Sequence, residues 1–300
     1  MPTTSVLIIE FMINCLPFLL LFIMSHLAGA LTKQILVTGG NKGIGLALCH
    51  KILERADTLV FLGSRDAGRG ATAVDEILKG NPGAAGRVEC LELDVSSDAS
   101  VSSAFDAFSS RAETNLYAIV NNAGIGFHRS VRETTQTNYY GPVRINEKFS
   151  KFLTKGEGRI LNIGSGSAPN FVQGQSDDKY SLLTSDKTTL DEIDDLIRSC
   201  EGVPAYENSA YGFSKACLNA YTGALQRKNP DLVINSVTPG WIATDLTSGM
   251  GAKNPPVVGT RPILKLLFEE VRGRGWYYGS DGERSPLDVY REPGSAPYAP

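Results

Sequence analysis

A chain of 300 residues that is 42% hydrophobic is long enough to bury one large core or two small ones. Its formal net charge is −3 with both signs interspersed, so it offers no basic stripe for a phosphate backbone, and nucleic acid is excluded as a partner. Five cysteines without a C-x-x-C pair and three scattered histidines argue against a metal site or a disulfide framework; the thiols are expected to be reduced, with Cys49 and Cys217 packed on helices.

No residue from Phe11 to Thr32 carries a formal charge, and residues 15–24 are the most apolar part of the chain. The stretch reaches the ~20 residues of a bilayer crossing. Ala28-Gly29-Ala30 resembles a signal-peptidase site, but the basic leading region of a secretory signal is missing. A membrane anchor of the endoplasmic-reticulum type through residues 5–31 is preferred. A cleaved signal, or a wrongly extended start that leaves a cytoplasmic protein, stays open. Each alternative leaves residues 1–31 outside the fold.

Residues 33–38 form the short apolar run of a buried parallel strand. They lead into Gly39-Gly40-Asn41-Lys42-Gly43-Ile44-Gly45 and then an amphipathic segment over 46–56. Strand, glycine turn and helix in this order open a dinucleotide-binding unit, in which glycines let the backbone approach a pyrophosphate and the helix N-terminus offers N–H groups to the anion. The spacing is G-x-x-x-G-x-G, not the general G-x-G-x-x-G, and a turn used only for packing is the competing explanation. A second strand at 58–62 ends in Gly63-Ser64-Arg65-Asp66. Where NAD-binding units place a carboxylate on the ribose, Arg65 suits a 2′-phosphate and Lys42 adds charge on the same side, which favours NADP over NAD. The opposite reading leaves Arg65 solvated and puts Asp66 on the ribose.

Alternation continues with a helix at 71–79, a strand at 87–93 closing on Asp94-Val95, a helix at 97–111 and a strand at 116–120. This order predicts an α/β fold, a doubly wound parallel sheet of Rossmann type in a single domain over 32–283, with its ligand crevice at the carboxyl ends of the strands. Asn121-Asn122-Ala123-Gly124 falls at such an end; its small residues let a flat ring lie on the backbone, and its amides suit either an adenosine or the neighbouring strand. Asn138 lies in or at the start of a long helix running toward Lys155, expected to bend at Pro142. A strand at 159–163 precedes Gly164-Ser165-Gly166-Ser167, and an insertion at 171–204 carries one acidic amphipathic helix over 190–198. Connections beyond ~15 residues usually cap a site or block an interface.

Tyr211 and Lys215 share one helix face, and Tyr211 alone among eleven tyrosines has a lysine four residues on. The ammonium is expected to lower the phenol from its ordinary value near 10 and make it a proton donor at neutral pH. That helix is predicted to run to about 227, followed by a strand at 232–237, the loop Pro239-Gly240-Trp241 to Thr244, a helix at 257–272 and a strand at 276–278. Residues 284–300, rich in Pro, Ser and Gly, read as a flexible tail.

Residues 38–45 and 121–124, Asn138, Ser165, Tyr211 with Lys215, and residues 239–244 together resemble the short-chain dehydrogenase/reductase family over about residues 33–283. They are most similar to the monomeric carbonyl reductases, which share the Thr-Gly-Gly-Asn-Lys-Gly-Ile-Gly opening, the Pro-Gly-Trp loop and an insertion ahead of the tyrosine. The resemblance implies that Tyr211 gives a proton to a substrate carbonyl oxygen, that Ser165 hydrogen-bonds the same oxygen, with Ser167 as the alternative, and that Asn138 holds a water leading from Lys215 to solvent. Lys215 would tune Tyr211 and bind the nicotinamide ribose. The resemblance further puts Gly39, Gly43, Ile44 and Gly45 at the pyrophosphate, Asp94 and Val95 at the adenine, Asn121, Asn122, Ala123 and Gly124 along the adenosine, and Thr244 at the nicotinamide amide, with Asn41, Lys42, Tyr211, Pro239 and Gly240 as further cofactor-binding residues. The implied activity is NADPH-dependent reduction of a ketone, quinone or aldehyde. Rival readings are an NAD(P)-dependent alcohol dehydrogenase, a membrane-bound lipid or steroid reductase and a non-catalytic NADPH-binding sensor. Ser165 and Tyr211 are 46 positions apart, far more than in most relatives, and the insertion responsible is expected to cover the oligomer face and leave a monomer.

Overall fold

The computed structural model describes residues 33–299 except 112 and 272, so the apolar stretch at 1–31, and its reading as an anchor or signal, lie outside the described residues. In β1 (Lys33–Val37), Ile35 and Val37 enter one core and Leu36 the other, the two-residue period of a strand buried on both faces. In β2 (Thr58–Ser64) Phe61 likewise opposes Val60 and Leu62. The remaining strands are β3 (Val88–Glu92), β4 (Leu116–Asn121), β5 (Arg159–Ile163), β6 (Val233–Val237) and β7 (Tyr277–Tyr278). All pair in parallel in the order β3-β2-β1-β4-β5-β6-β7. The order reverses between β1 and β4, and that reversal opens a crevice at the carboxyl ends of these two strands.

The first core is roofed by α1 (Gly43–Leu53) and α2 (Ala67–Gly80), whose inward residues include Leu48, Cys49, Ile52 and Ile77. On the opposite face lie α3 (Asp98–Ser109), α4 (Val131–Asn138) and α5 (Tyr140–Phe149), where Phe61 meets Phe108 edge to face at 4.9 Å between centroids. The expected bend at Pro142 is instead a break at Tyr139. Pro142 falls in the first turn of α5, where a missing N–H leaves no intrahelical bond unmade, so it starts a helix and does not kink one.

After β5 the chain forms α6 (Ser167–Gln173), α7 (Asp177–Thr184), α8 (Leu190–Cys200) and α9 (Pro204–Glu207) before the long α10 (Ala210–Lys228). The insertion therefore holds more than the one expected helix. That helix is α8, opened by a capping box between Thr189 and Glu192. Its apolar face, Ile193, Leu196, Ile197 and Cys200, shares a separate core with Val131, Phe213 and Cys217, while Asp191, Glu192 and Asp195 face solvent. A final helix, α11 (Pro256–Phe268), returns to the first core through Ile263, Leu266 and Leu267.

Residues 284–299 are not a loose tail. Arg291 is buried and pairs with Asp281, which also accepts the Gly294 backbone N–H at 2.8 Å. The Arg284 guanidinium lies 3.8 Å over the Trp276 ring, and Tyr180 on α7 donates to Asp288. A Pro/Ser/Gly composition carries no periodic signal, but one buried ion pair and a stacked guanidinium fasten the segment as a strap.

Candidate active site

The turn after β1 is shaped for backbone approach. Gly39 and Gly43 take left-handed φ values of 63° and 56°, and a Cβ on Gly45 would lie 2.2 Å from the Gly39 carbonyl oxygen. α1 starts at Gly43 with no side-chain cap from Lys42 and no acid in its first turn, so its leading N–H groups suit an anion. Asn41 is half-buried in this turn and Ile44 lines the cavity described below. Lys42 reaches across to Asp245 at 2.6 Å, so its expected place beside Arg65 is here an exposed ion pair spanning the crevice. Thr244 faces Gly43 on the same side. Arg65 is exposed just past β2, and Asp66 accepts the Arg69 N–H at 2.8 Å as the N-cap of α2. Beyond β3, Asp94 accepts from the backbone and hydroxyl of Ser96, and Val95 is buried against Gly141.

At the end of β4 the two asparagines turn inward. Asn121 donates to Asn162 at 2.8 Å and to Asn146 at 3.1 Å, so its expected adenosine contact is replaced by a cross-strand amide network buried inside the fold. Asn122 donates to the carbonyls of Thr38 and Gly39 at 2.9 and 3.1 Å, and the Thr38 hydroxyl accepts the N–H groups of Asn122 and Ala123, each at 3.0 Å. These bonds lock the two crevice-forming turns together. Gly124 leaves room where a Cβ would stand 3.2 Å from Asn138 Oδ1 and 3.6 Å from Lys215 Nζ.

Tyr211, Lys215 and Ser165 meet at this crevice. All three line one cavity of about 310 Å³, a size that suits a small ligand. Burial pushes the Tyr211 phenol above its ordinary value, while a hydrogen bond with Ser165 pulls the other way. Desolvation outweighs the expected lowering by Lys215. The Lys215 ammonium donates to the Ile163 carbonyl at 2.7 Å, and it lies 6.0 Å from the centre of the Tyr211 ring. Burial also lowers Lys215 itself, to about 8. Ser165 accepts the Ser167 backbone N–H at 3.2 Å. Asn138 is fully buried, with Oδ1 accepting the Ile125 N–H at 2.9 Å and Nδ2 donating to the Ile125 carbonyl at 3.0 Å and to Ser214 Oγ at 3.1 Å. Ser214, between Tyr211 and Lys215 in sequence, thus ties Asn138 to α10.

Pro239, Gly240, Trp241 and Thr244 line the far wall, with Phe127 on the near side, its ring 4.6 Å from that of Tyr211. His128 is exposed with φ 62° and does not line the cavity; nor does any residue of 171–204. The insertion covers α4 and α10 instead. Asn170 and Tyr290 do line it. Neither carries a local sequence signal: Asn170 follows an unremarkable Ala-Pro pair, and Tyr290 sits in the strap.

An anion cradle after β1, a tyrosine, lysine and serine gathered at the carboxyl ends of β4 and β5, and a doubly wound parallel sheet define a nucleotide-dependent oxidoreductase of the α/β class. The family model described as short chain dehydrogenase matches residues 33–181. The chain is similar to Short-chain dehydrogenase/reductase 1 of Saponaria officinalis, at 30% identity over 82% of this chain and 93% of that protein. It is also similar to Carbonyl reductase (NADPH) 1 of Homo sapiens, at 28% identity over 79% and 92%. Salutaridine reductase from Papaver somniferum shares the fold, with a TM-score of 0.72 at 24% identity over 82% of this chain and 99% of that one. The protein belongs to the short-chain dehydrogenase/reductase family, oxidoreductases that interconvert C=O and CH–OH with NAD(P).

Proposed function

We propose that this protein reduces the carbonyl group of a neutral small molecule to an alcohol, with NADPH as the reductant. The observation that carries the proposal is the meeting of Tyr211, Ser165 and Lys215 in one cavity beside a glycine turn in which Gly39, Gly40 and Gly45 have no room for a Cβ. The cofactor, when bound, supplies the hydride. The chain's own residues do the rest: the first-turn N–H groups of α1 bind phosphate, and the Ser165 hydroxyl donates to the carbonyl oxygen and holds it in place. Tyr211 gives that oxygen its proton as negative charge develops there. A phenol raised by burial stays protonated through the neutral range, which suits reduction; oxidation of an alcohol would need the phenolate.

Preference for NADPH is supported by Arg65 past β2 and by Asp66 being occupied as a helix cap, which leaves a cation and no free carboxylate at the ribose end. The human relative's name specifies NADPH as well. NADPH oxidation is measured against ketones, quinones and aldehydes. Tyr211→Phe is expected to lower kcat by about 100-fold or more with the NADPH dissociation constant unchanged; turnover equal to wild type removes the assigned role.

A further inference from the structure

Beyond the reacting groups, the cavity wall carries three rings and two aliphatic side chains, Phe127, Trp241, Tyr290, Ile242 and Leu246, among neutral polar ones such as Asn170, Ser167 and Thr244. Lys215 is the one charged side chain among the lining residues, and its ammonium is taken by the Ile163 carbonyl at 2.7 Å. Apart from Lys215, a substrate carboxylate or phosphate would meet only neutral groups on this wall, which selects against charged molecules. Three aromatic rings around the opening favour a flat partner that can stack or meet them edge to face.

Tyr290 stands apart because it comes from the strap. Its ring packs on the turn that carries the serine, so closely that a Cβ on Gly166 would lie 2.8 Å from Tyr290 Cε2. The next residue, Arg291, is almost wholly buried, with 7% of its side chain exposed, and pairs with Asp281 while donating to Ser285 Oγ at 3.0 Å. Asp281 in turn accepts the Gly294 N–H at 2.8 Å. The ring therefore hangs from a latch one residue away.

We infer that Tyr290, held over the Ser165 turn by the Asp281–Arg291 pair, is a specificity-determining residue of the carbonyl site and suits it to neutral ketones with a flat ring next to the carbonyl. This rests on the reductase reading. Tyr290 forms the wall against which the substrate ring lies, and Arg291 and Asp281 are positioning residues that act through it.

The test uses the full chain with NADPH and three probes: acetophenone, butanone and the charged phenylglyoxylate. Wild type is expected to prefer acetophenone over both. Tyr290→Ala lowers the acetophenone-to-butanone ratio of kcat/KM about tenfold through KM, Tyr290→Phe keeps it, and Asp281→Asn reproduces the alanine result with the NADPH dissociation constant unchanged. Equal losses for both ketones in Tyr290→Ala, or an Asp281→Asn protein with the wild-type ratio, overturn the inference, as does efficient reduction of phenylglyoxylate. If wild type binds NADPH yet reduces none of the probes, the reductase reading fails by itself. The wall is then read by calorimetry of acetophenone on the NADP+ complex, where about tenfold weaker binding in Tyr290→Ala supports it and equal binding overturns it.

Discussion

Replacing Lys215 by methionine separates what this side chain does for function from what it does to stability. Burial lowers Lys215 from 10.5 to about 8, so between those values the unfolded chain holds more protons than the folded one. Stability therefore rises with pH across that window and is lost as pH falls through about 8. Between pH 7 and 9.5 this one group contributes a change of about 2 kcal/mol. The buried thiols of Cys49 and Cys217, raised by desolvation, act in the opposite sense from about pH 8.5 upward, and the buried phenols of Tyr221 and Tyr277 do so above about pH 10, so the quantity read is the difference between variant and wild type, to which those groups contribute equally. At pH 7 the buried ammonium costs about 3 kcal/mol, and methionine would leave the Ile163 carbonyl without its donor, a loss of about 1 kcal/mol. The net expectation is a cofactor-free Lys215→Met protein about 2 kcal/mol more stable than wild type at pH 7, an advantage that shrinks to near zero by pH 9.5, and no carbonyl reduction. Urea denaturation at a series of pH values reads both quantities. A variant less stable than wild type at pH 7, or an advantage that does not shrink toward pH 9.5, refutes the view that desolvation of this amine dominates.

Gly45→Ala puts a methyl group 2.2 Å from the Gly39 carbonyl oxygen and 2.5 Å from Asn122 Nδ2, and backbone cannot yield as a flexible side chain does. About 1–3 kcal/mol of destabilisation and at least tenfold weaker NADPH binding are expected, checked by thermal unfolding and fluorescence titration. Arg65→Ala should weaken NADPH by about tenfold or more while leaving NADH within a factor of about two, since only the former has a 2′-phosphate to lose a partner; equal weakening removes the charge argument. Because α8 seats Ile193, Leu196 and Ile197 against the outer side of α4 and α10, we propose that the protein is a monomer. A single species of 32.3 kDa for the whole chain is expected in sedimentation velocity, and a stable dimer or tetramer at micromolar concentration contradicts it.

Local signals account for most of what the amino-acid order reveals. The two-residue period of β1, the glycine turn behind it and the four-residue step from Tyr211 to Lys215 are each complete within a few residues, so they announce a doubly wound sheet, an anion cradle and a proton donor without any knowledge of distant partners. Ser165 and Asn138 are singled out through the family resemblance; Asn138, expected in or at the start of a long helix, ends α4. Other features depend on partners far along the chain. Lys42 and Asp245 meet across 203 positions, Asn121 turns inward because Asn146 and Asn162 await it, and Tyr290 reaches the cavity because Arg291 finds Asp281.

Even at the reacting pair, spacing puts phenol and amine on one helix face but says nothing of solvent. Burial set by the packed fold raises the one, lowers the other and hands the ammonium to Ile163. Sequence alone therefore determined which groups this protein brings to its crevice, because helical and strand periodicity are properties of neighbours. Only the tertiary structure decided their protonation, their partners and the ring that closes over them, because desolvation and long-range contact exist only once the chain is packed.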